Sequence, residues 1–290
     1  MIKIVLNYSQ GVSRLGNKIL MIILALRVKK LIPNSEIYGY SIPELGFIFK
    51  DNLSDNISLK KTIIVRKHNP DLQELLYQIE KTNIQKIIID IADMTYDSIK
   101  EYKSSLRNQI NKISNNFLNP LPLKDSDLLI NIRANEILSN KHKDYYPLPI
   151  EVYEFIIDET EMKPVFFGQI DSGYYCSKLK SIFPNAQFLS LGVLDSFRLI
   201  MRAKNKFLPI STFSYVAGWL GADNTKIIMP ISGLFHPEQR GDIRIIPNDD
   251  DRFSYVKFAP QKWHKWVSLD LHLRILNSRS KPYKLLDKYV

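Results

Sequence analysis

Apolar positions recur along this chain at two periods, and the switch between them predicts most of its elements. Ile2, Ile4 and Leu6 alternate with Lys3, Val5 and Asn7, which reads as a strand, and the polar stretch from Asn7 to Ser13 with Gly11 ends it. From there the spacing is helical: Leu15, Ile19, Ile22, Ile23, Leu26 and Lys30 form a stripe, and Pro33 supplies the stop. Further strands are predicted at Thr62 to Val65 and Lys86 to Asp90, separated by a helix from Asp71 to Glu80 and followed by another from Asp97 to Ile113.

Asn115 to Asp127 (NNFLNPLPLKDSD) loses this periodicity and gathers two prolines and three asparagines, so it reads as a linker. Alternation then restarts. Strands are predicted at Leu128–Arg133, Pro164–Phe167, Gln187–Leu189, Lys206–Pro209 and Lys226–Met229, and helices at Ile150–Asp158, Tyr174–Phe183, Leu194–Ala203 and Phe213–Leu220. Short apolar strands separated by helices imply parallel sheets with covered faces. The expected architecture is α/β: a Rossmann-like domain over residues 1–120, a second over 121–260, and a cleft between them. Residues 261–290 are expected to form a terminal helix and a basic tail. The helix would start at the aromatic pair Trp263 and Trp266 and could pack back across the other half.

A length of 290 residues suits two domains, and 45% hydrophobic with 24% charged residues is a globular composition. The single cysteine, Cys176, excludes an internal disulfide, and the five histidines have no zinc-ligand spacing. A reducing, cytoplasmic setting is expected. The longest apolar run, Ile19 to Leu26, is far below the roughly 20 residues that span a bilayer. The net charge of +10 is uneven: residues 251–290 hold nine Lys or Arg against three Asp. That is a solvated basic face or an attraction to phosphates or an anionic membrane surface. No zinc-finger, helix-turn-helix or RNP-like signature favours nucleic acid.

Three segments carry candidate chemistry. Arg133 closes a buried strand (LLINIRANEI) on one face with Asn131, at the edge where open α/β sheets bind ligands. Its guanidinium fork is suited to two phosphate oxygens, and an interdomain salt bridge is the plainer reading. In PISTFSYVAGWL a strand runs into a helix through Ser211, Thr212 and Ser214, either a phosphate pocket or an ordinary helix cap. The third, GVSRLGNK from Gly11 to Lys18, is a glycine-bearing turn that is neither a dinucleotide fingerprint nor a P-loop.

Other features are weaker. Asp195 and Arg198 lie three apart on a predicted helix, as an ion pair or a nucleobase or ribose contact. The loop Phe235 to Arg244 carries His236, Glu238, Arg240 and Asp242 where a sugar or incoming hydroxyl could be met, or is simply solvated. Asp125-Ser126-Asp127 and Asp249-Asp250-Asp251 fit the D-x-D pattern of metal-dependent sugar transfer, but sit in a linker and a polar turn. Cys176 reads as a packing residue.

The three main segments together resemble the bacterial fucosyltransferase-like glycosyltransferases, the group of α-1,2-fucosyltransferases and related chitooligosaccharide and protein O-fucosyltransferases. RLGNK resembles that family's G-G-L-G-N-Q segment, with Gly16 and Asn17 matching. NIRANE resembles H-x-R-x-G-D, with Arg133 matching and Glu136 at the acidic position. Ile210 to Leu220 is similar to S-N-S-T-F-S-W-W-A-A-W-L, with Ser211, Thr212, Phe213, Ser214, Ala217, Trp219 and Leu220 matching. Asn131 stands where the family prefers His, Ala134 where a second arginine is frequent, and Tyr215-Val216 where two tryptophans are usual.

The resemblance implies a GT-B fold of two Rossmann-like domains, a nucleotide-sugar donor on the second half, an acceptor on the first and no metal requirement. It puts Arg133 against the donor diphosphate. The expected function is sugar transfer, with fucose from GDP-fucose as one candidate, onto a glycan or lipid-linked oligosaccharide of the bacterial surface. Arg133 and Glu136 are the expected catalytic residues, Glu136 as the base. Asn131, Arg133, Ser211, Thr212, Phe213, Ser214, Asp195 and Arg198 would bind the donor, and Gly16, Asn17, His236, Glu238 and Arg240 would line the acceptor side. The competing readings are a binding protein that has lost the chemistry and a CMP-sugar transferase on the same fold. The basic tail is expected to hold the protein at the inner membrane face.

Overall fold

The computed structural model describes residues 1–7, 14–50, 58–68, 70–114, 123–134, 137, 143–170, 173–260, 262, 268–281 and 283–289. The chain divides into two compact units, Met1–Phe117 and Leu118–Val290.

In the first unit, β1 (Ile2–Leu6), β2 (Ser35–Tyr38), β3 (Thr62–Val65) and β4 (Lys86–Ile89) form a parallel sheet in the order β2-β1-β4-β3. Helix α1 (Leu15–Leu31) follows β1. Residues Ile19 to Ala25 are all fully buried, so the helix is enclosed on every side, beyond the single stripe its spacing predicts. Helix α2 (Leu72–Thr82) is capped by the Asp71 carboxylate, which accepts the N–H groups of Gln73 and Glu74. The single helix predicted over Asp97 to Ile113 is instead α3 (Tyr96–Ile99), a 3₁₀ turn and α4 (Lys103–Ser114).

In the second unit the strands are β5 (Asp127–Ile132), β6 (Lys163–Gly168), β7 (Gln187–Leu189), β8 (Asn205–Phe207), β9 (Lys226–Ile231), β10 (Phe253–Lys257) and β11 (Leu285–Leu286). They lie in the order β11-β10-β9-β8-β5-β6-β7, parallel except for β10 with β11. The helices are α5 (Ile150–Thr160), α6 (Tyr174–Ile182), α7 (Val193–Arg202), α8 (Thr212–Trp219) and α9 (Leu269–Ser280). These strand–helix repeats are Rossmann-like, as the alternation predicts.

The strand order fixes where a ligand can enter. From β5 the chain winds outward through β6 and β7, then returns to the other side of β5 for β8, β9 and β10. The carboxyl ends of β5 and β8 therefore flank the topological switch point, the edge at which open α/β sheets bind ligands.

One expectation for the tail changes. The terminal helix starts at Leu269, where the Ser268 hydroxyl caps it by accepting the Leu271 N–H; Trp263 and Trp266 lie outside the described residues. It packs on α5 of its own unit. Among the described residues, no helix is long and apolar enough to cross a membrane.

Candidate functional site

Arg133 is the first residue beyond β5, and Ser211 follows β8 as the cap of α8, so both stand at the switch point of the second sheet. The Arg133 guanidinium donates through Nη1 to the Ser211 hydroxyl at 2.8 Å. The same hydroxyl accepts the Ser214 N–H at 3.4 Å, so Ser211 closes the helix and orients the arginine together. The helix cap that the sequence offered is present, and its oxygen is also the acceptor for Arg133.

Behind this pair lies a buried polar layer. Ser214, wholly inaccessible, donates its hydroxyl to Asn131 Oδ1 at 2.6 Å, and Asn131 Nδ2 reaches the Phe167 carbonyl at 3.4 Å. Ser214 and Asn131 thus face each other and tie α8 to β5. Gly168 makes room for them: at φ +104°, a Cβ there would lie 2.5 Å from both Asn131 Nδ2 and the Ile132 carbonyl. The next residue, Gln169, accepts the Ala134 N–H at 2.8 Å and fixes the chain just past Arg133. The Cys176 thiol donates to the Gln169 carbonyl at 3.0 Å, a packing role for a buried cysteine.

A cation fixed at a strand's carboxyl end beside a helix N-terminus is arranged for an anion. The helix directs the positive end of its dipole to this edge, and Arg133 adds a permanent charge. Thr212 is buried in the first turn, and Phe213 packs its ring 5.6 Å from that of Phe197 on α7. Arg198 on α7 is buried, 3.7 Å from the exposed Asp195 carboxylate. Glu136, the expected base, lies outside the described residues, as does Gly11. Gly16 and Asn17 occupy the first turn of α1 in the first unit, Gly16 buried and Asn17 half-buried.

The loop after β9 turns mostly inward. His236 is wholly buried with Nε2 3.0 Å from the Phe258 carbonyl, and burial holds its pKa below the usual value. Arg240 grips Asp242 through Nε at 2.9 Å and Nη2 at 2.7 Å, and Glu238 and Asp242 are the exposed members. The aspartate patterns are also engaged. Asp250 pairs with buried Arg252 at 2.7 Å, Asp251 lies 3.6 Å from Lys288, Asp125 pairs with Lys204, and Asp127 accepts the Lys124 N–H at 2.7 Å.

Sequence reasoning passed over Gly168, Gln169 and Tyr145. The first two had a usable signal, a Gly-Gln pair straight after a predicted strand. Tyr145 had none: its ring centre lies 4.8 Å from Arg133 Cζ through a loop of irregular backbone.

No protein-family model matches the chain, and no curated protein matches its sequence. Among solved structures it is similar to the E. coli heptosyltransferase WaaC with ADP, at 10% identity and a TM-score of 0.46 over 95% of this chain and 99% of that one. It is also similar to the same E. coli enzyme with ADP-2-deoxy-2-fluoro heptose, at 10% identity and a TM-score of 0.40 over 79% and 88%.

Proposed function

We propose that this protein is a GT-B glycosyltransferase that moves a sugar from a nucleoside-diphosphate donor to a glycan or lipid-linked oligosaccharide acceptor in bacterial surface-polysaccharide synthesis. GDP-fucose is the candidate donor, and no metal cofactor is invoked. The reading is carried by one observation: Arg133 and Ser211 are hydrogen-bonded across the switch point, beside the N-terminus of α8. The motif resemblance around these two residues supplies the chemistry.

In this mechanism the acceptor oxygen attacks the anomeric carbon while that carbon's bond to the diphosphate oxygen breaks. Charge grows on the leaving diphosphate. Arg133 opposes it with a fixed fork, and the α8 N-terminus with oriented N–H dipoles that need no rearrangement during reaction. A base must take the acceptor proton, and Glu136, three residues beyond Arg133, is proposed for it. Inversion at the anomeric carbon follows from a single displacement.

Thermal-shift measurements with GDP-fucose, other nucleotide sugars including CMP-sugars, and free nucleotides test the reading, since a ligand of the native state raises the melting temperature with its concentration. A shift with a nucleotide sugar, followed by donor consumption, supports transfer. No shift with any of them overturns it.

A further inference from the structure

The residues on either side of Tyr145 are fastened to the loop that follows β9. Asp144, buried, accepts from Gln239 Nε2 at 2.8 Å and lies 3.8 Å from Arg240 Nη1. The Tyr146 hydroxyl is 2.8 Å from the Ser232 hydroxyl. Between these contacts the backbones touch: at Gly233, with φ +52°, a Cβ would come to 2.5 Å of the Asp144 carbonyl. The two flanking side chains, Asp144 and Tyr146, and one backbone approach therefore pin the chain immediately around Tyr145.

The pinned residue is half-buried and presents its ring to the Arg133 guanidinium, 4.8 Å from ring centre to Cζ. Ser211 meanwhile accepts from Nη1 at 2.8 Å. The hydrogen bond at Nη1 fixes a direction for the guanidinium, and the ring faces its plane. A ring held at this distance restrains the orientation of that plane and is attracted to the cation by its quadrupole. A two-oxygen grip needs both direction and plane.

We propose that Tyr145 is a positioning residue for Arg133, and that the loop Phe235–Arg244 serves this site as the anchor of Tyr145. The inference rests on reading Arg133 as a diphosphate ligand. Asp242 holds Arg240, Arg240 and Gln239 hold Asp144, and Asp144 sets the ring over the arginine. The polar residues of this loop thereby act on an anion they need not touch.

Calorimetric titration of the full chain with GDP, ADP and UDP tests the proposal. Tyr145→Leu should weaken the nucleotide that binds by about 3- to 30-fold, the range of a partly desolvated cation–π contact. Tyr145→Phe should stay within about twofold of wild type, because the ring is kept. Gln239→Ala, which leaves ring and arginine in place, should show part of the loss, and adding it to Tyr145→Leu should cost nothing more.

A ligand-free measurement separates this inference from the functional reading. With ¹⁵N-labelled arginine, the Arg133 Nε signal, assigned by its absence in Arg133→Lys, should be ring-shifted in wild type and Tyr145→Phe and return to an ordinary position in Tyr145→Leu. Unchanged affinity in a folded Tyr145→Leu, equal loss in the Leu and Phe variants, or an unmoved Nε signal overturns the proposal. If wild type binds none of the nucleotides while the Nε signal moves as expected, the diphosphate reading is what fails, and the ligand role of Tyr145 falls with it.

Discussion

Ser214, in the first turn of α8, gives its hydroxyl proton to Asn131 at the end of β5, with 2.6 Å between the oxygens and both side chains buried. This bond spans 83 residues of chain and holds together the two elements that carry Ser211 and Arg133. Ser214→Ala should therefore leave the Asn131 carbonyl without that buried donor, and lower stability by about 1–3 kcal/mol in a denaturant titration. Nucleotide affinity should fall as well, because one of the bonds that hold α8 to the end of β5 is lost. Ser211→Ala removes a cap, which costs about 0.5–2 kcal/mol, and also the acceptor of Arg133. Its loss of affinity should exceed that of Ser214→Ala, and the reverse order would count against the arrangement.

Arg133→Ala should abolish sugar transfer with little change in melting temperature. Arg133→Lys should recover only part of the rate, since a point charge cannot reproduce the fork. Steady-state kinetics on a nucleotide sugar, with a melt of each variant, checks both. Turnover at wild-type level in the alanine variant would remove Arg133 from the site.

Activity should survive an excess of chelator. Asp250 is committed to Arg252, which also donates to the carbonyls of Trp219 and Gly221 at 2.8 Å each, so this carboxylate helps close the C-terminal end of α8. A strict need for added Mn²⁺ or Mg²⁺ in the donor-consumption assay would return the aspartate patterns to consideration.

The parts of this picture that could be read from the sequence are those set by local spacing. The strand Thr62–Val65 and the strand Gln187–Leu189 are found as predicted, because β-rich runs bounded by polar residues have few alternatives. Arg133 could be read for the same reason: a cation directly after an apolar strand falls at a sheet edge. The strands β2 (SEIY) and β10 (FSYVK) could not, being short, half polar and defined by their neighbours in the sheet. Tyr145 and Lys206 were invisible because their surroundings come from distant segments. The sequence puts Lys206 at the start of a strand, where a lysine is ordinarily solvated, yet it is almost wholly buried in the sheet interior.

The basic tail should bind anionic membranes in a salt-sensitive way. Lys262, Arg274, Lys281, Lys284 and Lys288 are exposed, although Arg274 pairs with Asp270, and Lys288 lies 3.6 Å from Asp251. Each basic residue near an anionic surface contributes about 1 kcal/mol, and the attraction decays over a Debye length of roughly 8 Å at physiological salt. Sedimentation with anionic vesicles at low salt should bring the protein down, and high salt should release it. Equal partition onto neutral vesicles, or none onto either kind, would make the tail a solvated face.

Lys206 gives a pH signature that belongs to the fold and not to the ligand. Its ammonium is buried, and burial, reinforced by repulsion from Arg252, lowers its pKa to about 7 from an ordinary 10.5. Below pH 7 both folded and unfolded chains carry this proton, and the folded state bears the cost of a buried charge. Above pH 7 the folded amine is neutral while the unfolded one stays charged, so the unfolded state binds more protons and stability rises with pH. The rise should run from about 7 toward 9, ahead of the alkaline range near 10 where tyrosines ionise. At that end the buried Tyr153 and Tyr175, whose pKa values burial raises, act with the opposite sign. Lys206→Met keeps the stem and removes the charge, so it should be more stable than wild type at neutral pH and lose most of the rise. Urea unfolding of both proteins at several pH values between these limits decides the matter: parallel curves would mean that the Lys206 amine is solvated in the native state.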